Sequence, residues 1–145
     1  MDTSRSVVIP DKPIIFFDGV CNLCNGAVDF ILRKDKRERF VFESLQSDNA
    51  QLLLGTQHTK SLEYIVVLTT AKEVLVKSKA VFFIARQLGG WVKLISFFRV
   101  LPLIFTDFVY KIIAKHRYSL FGKRSTCRLP DPNMKLRFLE GYQNN

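Results

Sequence analysis

The chain has 145 residues, the size of one domain, and 48% of them are hydrophobic, which suffices for a single core and excludes an intrinsically disordered segment. Three cysteines are too few for a small secreted scaffold stapled by disulfides, so packing must hold the fold. With 22 basic residues against 13 acidic ones, the net charge of +9 favours acidic partners, an anionic membrane surface or nucleic acid, and says nothing about fold.

Residues 1–13 read as a loose leader without the apolar core of a secretory signal, so a cytoplasmic, reducing location is expected. Ile14 to Phe17 form a continuous apolar run stopped by Asp18-Gly19, the pattern of a strand buried on both faces. Cys24, Ala27, Val28, Ile31 and Leu32 then recur at helical spacing. After the charged run Arg33 to Arg39, Phe40-Val41-Phe42 is a second strand candidate, followed by a short helix from Asn49 to Leu54 that Gly55 stops. Leu62 to Leu68 and Val74 to Val76, separated by a polar link, read as a hairpin. The next helix has Ser78 as its expected N-cap and ends at Gly89.

This element order, β-α-β-α-β-β-α, predicts an α/β fold: a thioredoxin-like mixed sheet with flanking helices. A C-terminal helical extension follows over about residues 91–116. Its first helix carries Trp91, Leu94, Ile95 and Phe98. The second starts after Pro102 and carries Ile104, Phe105, Phe108, Val109, Ile112 and Ile113, and both stripes are expected to pack on the domain. The domain is placed at 14–130 and a C-terminal tail at 131–145. The apolar stretch from Ala80 to Lys115 is interrupted by charges, Gly89-Gly90 and Pro102, so no spanning helix is expected.

The chemistry centres on Cys21 and Cys24, a C-x-x-C pair at the junction of the first strand and first helix. A helix N-terminus offers free N–H groups and partial positive charge that stabilise a thiolate. Cys21 is therefore expected to be the acidic, attacking thiol, and Cys24, inside the first turn and covered by packing, the resolving one. Asp18 can serve either as a proton acceptor for Cys24 or as a turn-fixing residue with Gly19. Cys127 reads as an ordinary buried thiol or as a third redox or metal-binding cysteine. His58 and His116 read as surface side chains.

The run Phe17-Asp18-Gly19-Val20-Cys21-Asn22-Leu23-Cys24 resembles the D-G-x-C-x-L-C signature of the DCC family of predicted thiol-disulfide oxidoreductases. A second match lies downstream: His116-Arg117-Tyr118-Ser119-Leu120-Phe121-Gly122, with Cys127 following, is similar to the family's N-R-Y-x-x-F-G and trailing cysteine. His116 stands where the family usually has Asn. The resemblance implies a thioredoxin-like fold, Cys21 and Cys24 as the redox pair and Asp18 as the third signature residue, with Arg117, Tyr118 and Cys127 as accessory positions. Thioredoxins proper place a cis-proline before the third strand, and none of this chain's prolines, at 10, 13, 102, 130 and 132, stands there.

These readings converge on a thiol-disulfide oxidoreductase acting on a protein or small-molecule disulfide, without a bound cofactor or metal. A cellular thiol reductant such as glutathione would supply the electrons. Two rivals remain open: a zinc-binding module built on Cys21 and Cys24, and a non-catalytic adaptor binding a membrane or an acidic protein through its basic helical region. Between Lys111 and Arg128 there are six bases and no acid, a face suited to an anionic partner. Nucleic acid is not expected, because no recognised binding motif is present.

Overall fold

The structure, a computed structural model, describes residues 8–60, 64–122 and 136–139. Ile14–Phe17 (β1) leads through a turn into Asn22–Lys34 (α1), which returns the chain to Val41–Ser44 (β2), parallel to β1 with Ile14 opposite Val41. Parallel neighbours need such a crossover, and α1 supplies it. Asp48–Leu54 (α2) begins at Ser47, whose side chain accepts a hydrogen bond from Ala50 N–H, and Thr56–Thr59 (α3) follows. Val66–Leu68 (β3) pairs antiparallel with β1, and Val74–Val76 (β4) pairs antiparallel with β3. The sheet order β2-β1-β3-β4, mixed in direction and flanked by helices, is the thioredoxin-like arrangement expected from the element order.

Alternate residues of the strands feed two cores. Ile15, Phe17, Phe42 and Val67 pack with Val28 and Ile31 of α1 and with Ile84 of Lys77–Leu88 (α4). On the other face Ile14, Phe16, Val41 and Val66 meet Ala50 and Leu54 of α2. Within 131–145, set apart in sequence as a tail, the described residues are part of this body. Phe138 lies in the first core beside the Phe42 ring, Leu139 in the second, and Arg137 pairs with the buried Asp35 at 2.7 Å.

Two expectations about the helices are corrected. Ser78 does not cap α4: Val76 holds that position, and Lys77, at φ +55°, turns the chain directly from β4 into the helix. Ser78 is buried in the first turn and hydrogen-bonds Asp107. Residues Gly90–Val100 form a 3-10 helix, in which a side-chain stripe spaced for 3.6 residues per turn winds around the axis, and Val92 is its one buried residue.

The larger correction concerns Leu103–Phe121 (α5), which runs past the expected end near residue 116. Its apolar stripe does not pack on the domain: Ile104 is 86% exposed, and Phe105, Phe108, Ile112 and Ile113 are all exposed. At about 100° per residue, Thr106, Asp107, Tyr110, Ala114, Arg117 and Tyr118 share the opposite face. Those are the residues that turn inward, with Arg117 buried. The helix is amphipathic with its polar side in, because that side is taken up by the site.

Candidate active site

The loop entering α1 is fixed by its own side chains and by one from across the sheet. Asp18 Oδ1 accepts a hydrogen bond from Val20 N–H at 3.1 Å, and Cys21 N–H donates to Asp18 O at 3.3 Å, closing the turn. From within the helix, buried Asn25 donates through Nδ2 to Gly19 O at 2.9 Å and to Cys21 O at 2.8 Å. Gln46, just beyond β2, accepts from Gly19 N–H at 3.1 Å and donates through Nε2 to Asp18 Oδ1 at 2.6 Å. Cys21 occupies the N-cap position of α1 with extended backbone, and its side chain makes no capping hydrogen bond.

The inner face of α5 closes the site. Tyr118 Oη donates to Asp18 Oδ2, and Arg117 Nη2 lies 3.3 Å from the same oxygen. Arg117 Nη1 reaches to 3.8 Å from Cys24 Sγ, and its guanidinium stacks over the Tyr118 ring, 4.7 Å from the ring centre. At the helix end, Asn22 Nδ2 donates to Phe121 O at 2.8 Å and Asn22 N–H to Gly122 O at 3.4 Å. Gly122 ends the helix at φ +81°, a conformation that favours glycine, and a Cβ there would lie 3.1 Å from Asn22 Nδ2. Further up the same face, Tyr110 Oη accepts from Ile65 N–H at 2.8 Å.

The exposure of the two thiols reverses the expected order. Cys21 is 0% exposed, whereas Cys24 is only partly buried. The end of α5 is pinned at Asn22, the residue next to Cys21. Burial above all pushes the Cys24 thiol up to about 12, and its hydrogen bond to Cys21 and the negative charge there act in the same direction. The charge of Arg117 opposes them without overcoming them. Burial likewise holds the Tyr110 and Tyr118 protons to about 12, with the hydrogen bond to Asp18 adding to the effect at Tyr118.

Asp18, Cys21, Cys24, Arg117 and Tyr118 are thus brought into one site from positions a hundred residues apart. A family model described as DCC1-like thiol-disulfide oxidoreductase matches residues 15–123. The chain belongs to this family. It is similar to YuxK of Bacillus subtilis, with 42% identity over 90% of this chain and 96% of that protein. It is also similar to a chloroplastic DCC family protein of Arabidopsis thaliana, with 38% identity over 88% of this chain and 76% of that one. No solved structure matches it.

Cys127 lies outside the described residues. His116 is exposed and His58 half-buried. Among the described residues, no three His, Cys, Asp or Glu side chains converge in a group that could hold a metal ion. Sequence reasoning did not single out Asn22, Asn25, Gln46 or Tyr110. The polar spacing Asp107, Tyr110, Ala114, Arg117, complementary to the apolar stripe of α5, is the signal that marks its inner face.

Proposed function

We propose that this chain exchanges dithiol for disulfide through Cys21 and Cys24. The observation that carries the reading is a pair of free thiols at the start of α1, Cys21 at its N-cap and Cys24 in its first turn, with Arg117 Nη1 3.8 Å from Cys24 Sγ. In the reductive direction the Cys21 thiolate attacks one sulfur of a substrate disulfide, forming a Cys21–substrate bond and releasing the other sulfur as a thiolate. That thiolate takes the Cys24 proton. Cys24 then attacks the mixed disulfide, the second substrate sulfur leaves as a thiolate, and a Cys21–Cys24 disulfide remains. Two electrons have passed from the pair to the substrate. Two equivalents of a cellular thiol of the glutathione class restore the dithiol and become a disulfide themselves, in a cytoplasmic setting. Because Cys21 is buried, the site must open before attack. Arg117, beside Cys24 Sγ, then faces the negative charge that develops on this sulfur as it gives up its proton.

Reduction of a model protein disulfide in the presence of excess thiol tests the reading. Wild-type protein turns over, Cys21→Ser is inactive, and Cys24→Ser accumulates mixed disulfides that survive denaturation. Full activity in Cys21→Ser would overturn the assignment.

A further inference from the structure

The outward side of the C-terminal helices is unusual in both its polarity and its charge. Between Trp91 and Phe121 sixteen large apolar side chains are exposed, beyond the scattered exposure normal for a protein surface. The chain itself has little to cover them. Its segments outside the described residues contain Met1, Val7, Leu62, Cys127, Leu129, Met134 and Tyr142 as their apolar side chains, while Phe138 and Leu139 are already used in the cores.

Charge then selects the occupant. From 90 to 122 the exposed charged side chains are Lys93, Arg99, Lys111 and Lys115, all positive, while Asp107, the acid of this stretch, faces inward to Ser78. A second copy would bring the same positive set against itself. Beside the 3-10 helix a cleft of about 730 Å³ carries Lys79, Arg86, Lys93 and Arg99 against one acid, Glu73, around apolar walls that include Phe82 and Leu103. Cationic rims above apolar, aromatic-rich surface suit a partner that is anionic at its surface and hydrocarbon beneath. No helix among the described residues is long and apolar enough to cross a membrane, so the fit is to lying on one.

We propose that the exposed face of the 3-10 helix and α5 docks this protein on anionic lipid bilayers, with Trp91, Phe105, Phe108 and Ile104 entering the interface and Lys93, Arg99 and Lys111 meeting the headgroups. Trp91, the only tryptophan of the chain, stays 60% exposed although its ring meets Phe30 and Lys34 of α1, and it reports on the contact. With the full-length protein, vesicles made of equal parts phosphatidylglycerol and phosphatidylcholine shift Trp91 emission to the blue and carry the protein with them in flotation. Phosphatidylcholine alone does so far more weakly. Replacing Lys93, Arg99 and Lys111 together by Gln lowers partitioning by on the order of 100-fold, at roughly one unit of headgroup attraction per base. Ile104→Ser with Phe105→Ser, both at exposed positions, lowers it by about tenfold or more while the melting temperature stays unchanged. Absence of vesicle binding overturns the proposal, as does equal binding to both lipid compositions. A monomer–dimer equilibrium in sedimentation that Ile104→Ser dissolves also overturns it, assigning the face to a second copy.

Discussion

Arg117→Gln tests whether the site and α5 are one energetic unit. Arg117 is a buried cation whose Nη2 lies 3.3 Å from the carboxylate of Asp18, itself 1% exposed. Removing one member of a buried ion pair costs roughly 3–5 kcal/mol when the other is left without compensation. Here Asp18 keeps donors in Val20 N–H, Gln46 Nε2 and Tyr118 Oη, which places the loss lower, at about 2–3 kcal/mol. For a domain of this size the melting temperature falls by roughly 6–10 °C. Urea denaturation of the wild type, Arg117→Gln, Asp18→Asn and the double variant, compared at constant m, measures the pair directly, with an interaction energy of about 1–2 kcal/mol expected. The same substitution removes the positive charge that lowers the Cys24 pKa, so mixed disulfides resolve more slowly. Additive single changes, or a loss below about 0.5 kcal/mol for Arg117→Gln, would refute the view that this pair ties α5 to the site.

Asn22→Ala, which releases Phe121 O, raises the alkylation rate of Cys21 in a background where Cys24 and Cys127 are Ser; an unchanged rate means that the end of α5 does not guard this thiol. Gly122→Ala forces a side chain into φ +81° and against Asn22, so stability falls by about 1–2 kcal/mol in chemical denaturation, and wild-type stability would show that the turn tolerates a Cβ. Gln46→Ala strips a partner from both Gly19 N–H and Asp18 and costs about 1–2 kcal/mol, with a null effect showing that water replaces it at no loss. Cys24 is raised from an ordinary 9.0, so the folded protein keeps a proton that the unfolded chain releases. The stability this confers is complete below about pH 9 and is lost as pH rises toward about 12. Stability of Cys24→Ser must therefore fall less steeply above pH 9 than that of the wild type, and parallel curves would show that Cys24 is not the group responsible.

The sheet was legible because its strands are short apolar runs closed by turn chemistry: Asp18-Gly19 after β1 and the polar link before β4 leave few alternatives for a chain that must bury Ile14 to Phe17 on both faces. The cysteine pair was legible for the same reason, since a strand, a turn and a helix in succession put C-x-x-C at a helix N-terminus. The phase of α5 was not. A periodic apolar stripe is ordinarily the face that packs, yet here Asp107, Tyr110, Arg117 and Tyr118 have partners on the body that are far away in sequence: Ser78, Ile65 and Asp18. No local pattern carries those pairings. The burial of Cys21 escaped sequence reasoning as well, since no local pattern shows that Asn22 beside it meets residues a hundred positions on.

The orientation of α5 has an energetic consequence. Burying a side chain such as Ile104, Phe105, Phe108 or Ile112 is worth about 1.5–3 kcal/mol each, and an isolated copy of this domain forgoes that gain at every exposed position. The helix is held instead by polar tethers along its length: Asp107 to Ser78, Tyr110 to Ile65 N–H, Arg117 and Tyr118 to Asp18, and the carbonyls of Phe121 and Gly122 to Asn22. A hydrogen bond contributes about 1 kcal/mol net, more where a charge is involved, so these contacts are of the size needed to set the helix's rotation but leave no large reserve. Polar tethers are also directional, whereas apolar contact tolerates sliding and rotation. A helix that must present a guanidinium within reach of one sulfur and one carboxylate oxygen at the same time is better fixed by the first kind of contact. The three tethers nearest the thiols, at Asp18, Cys24 and Asn22, all sit in the last turns of α5, so any event that changes the charge or bonding of the cysteine pair acts first on that end of the helix.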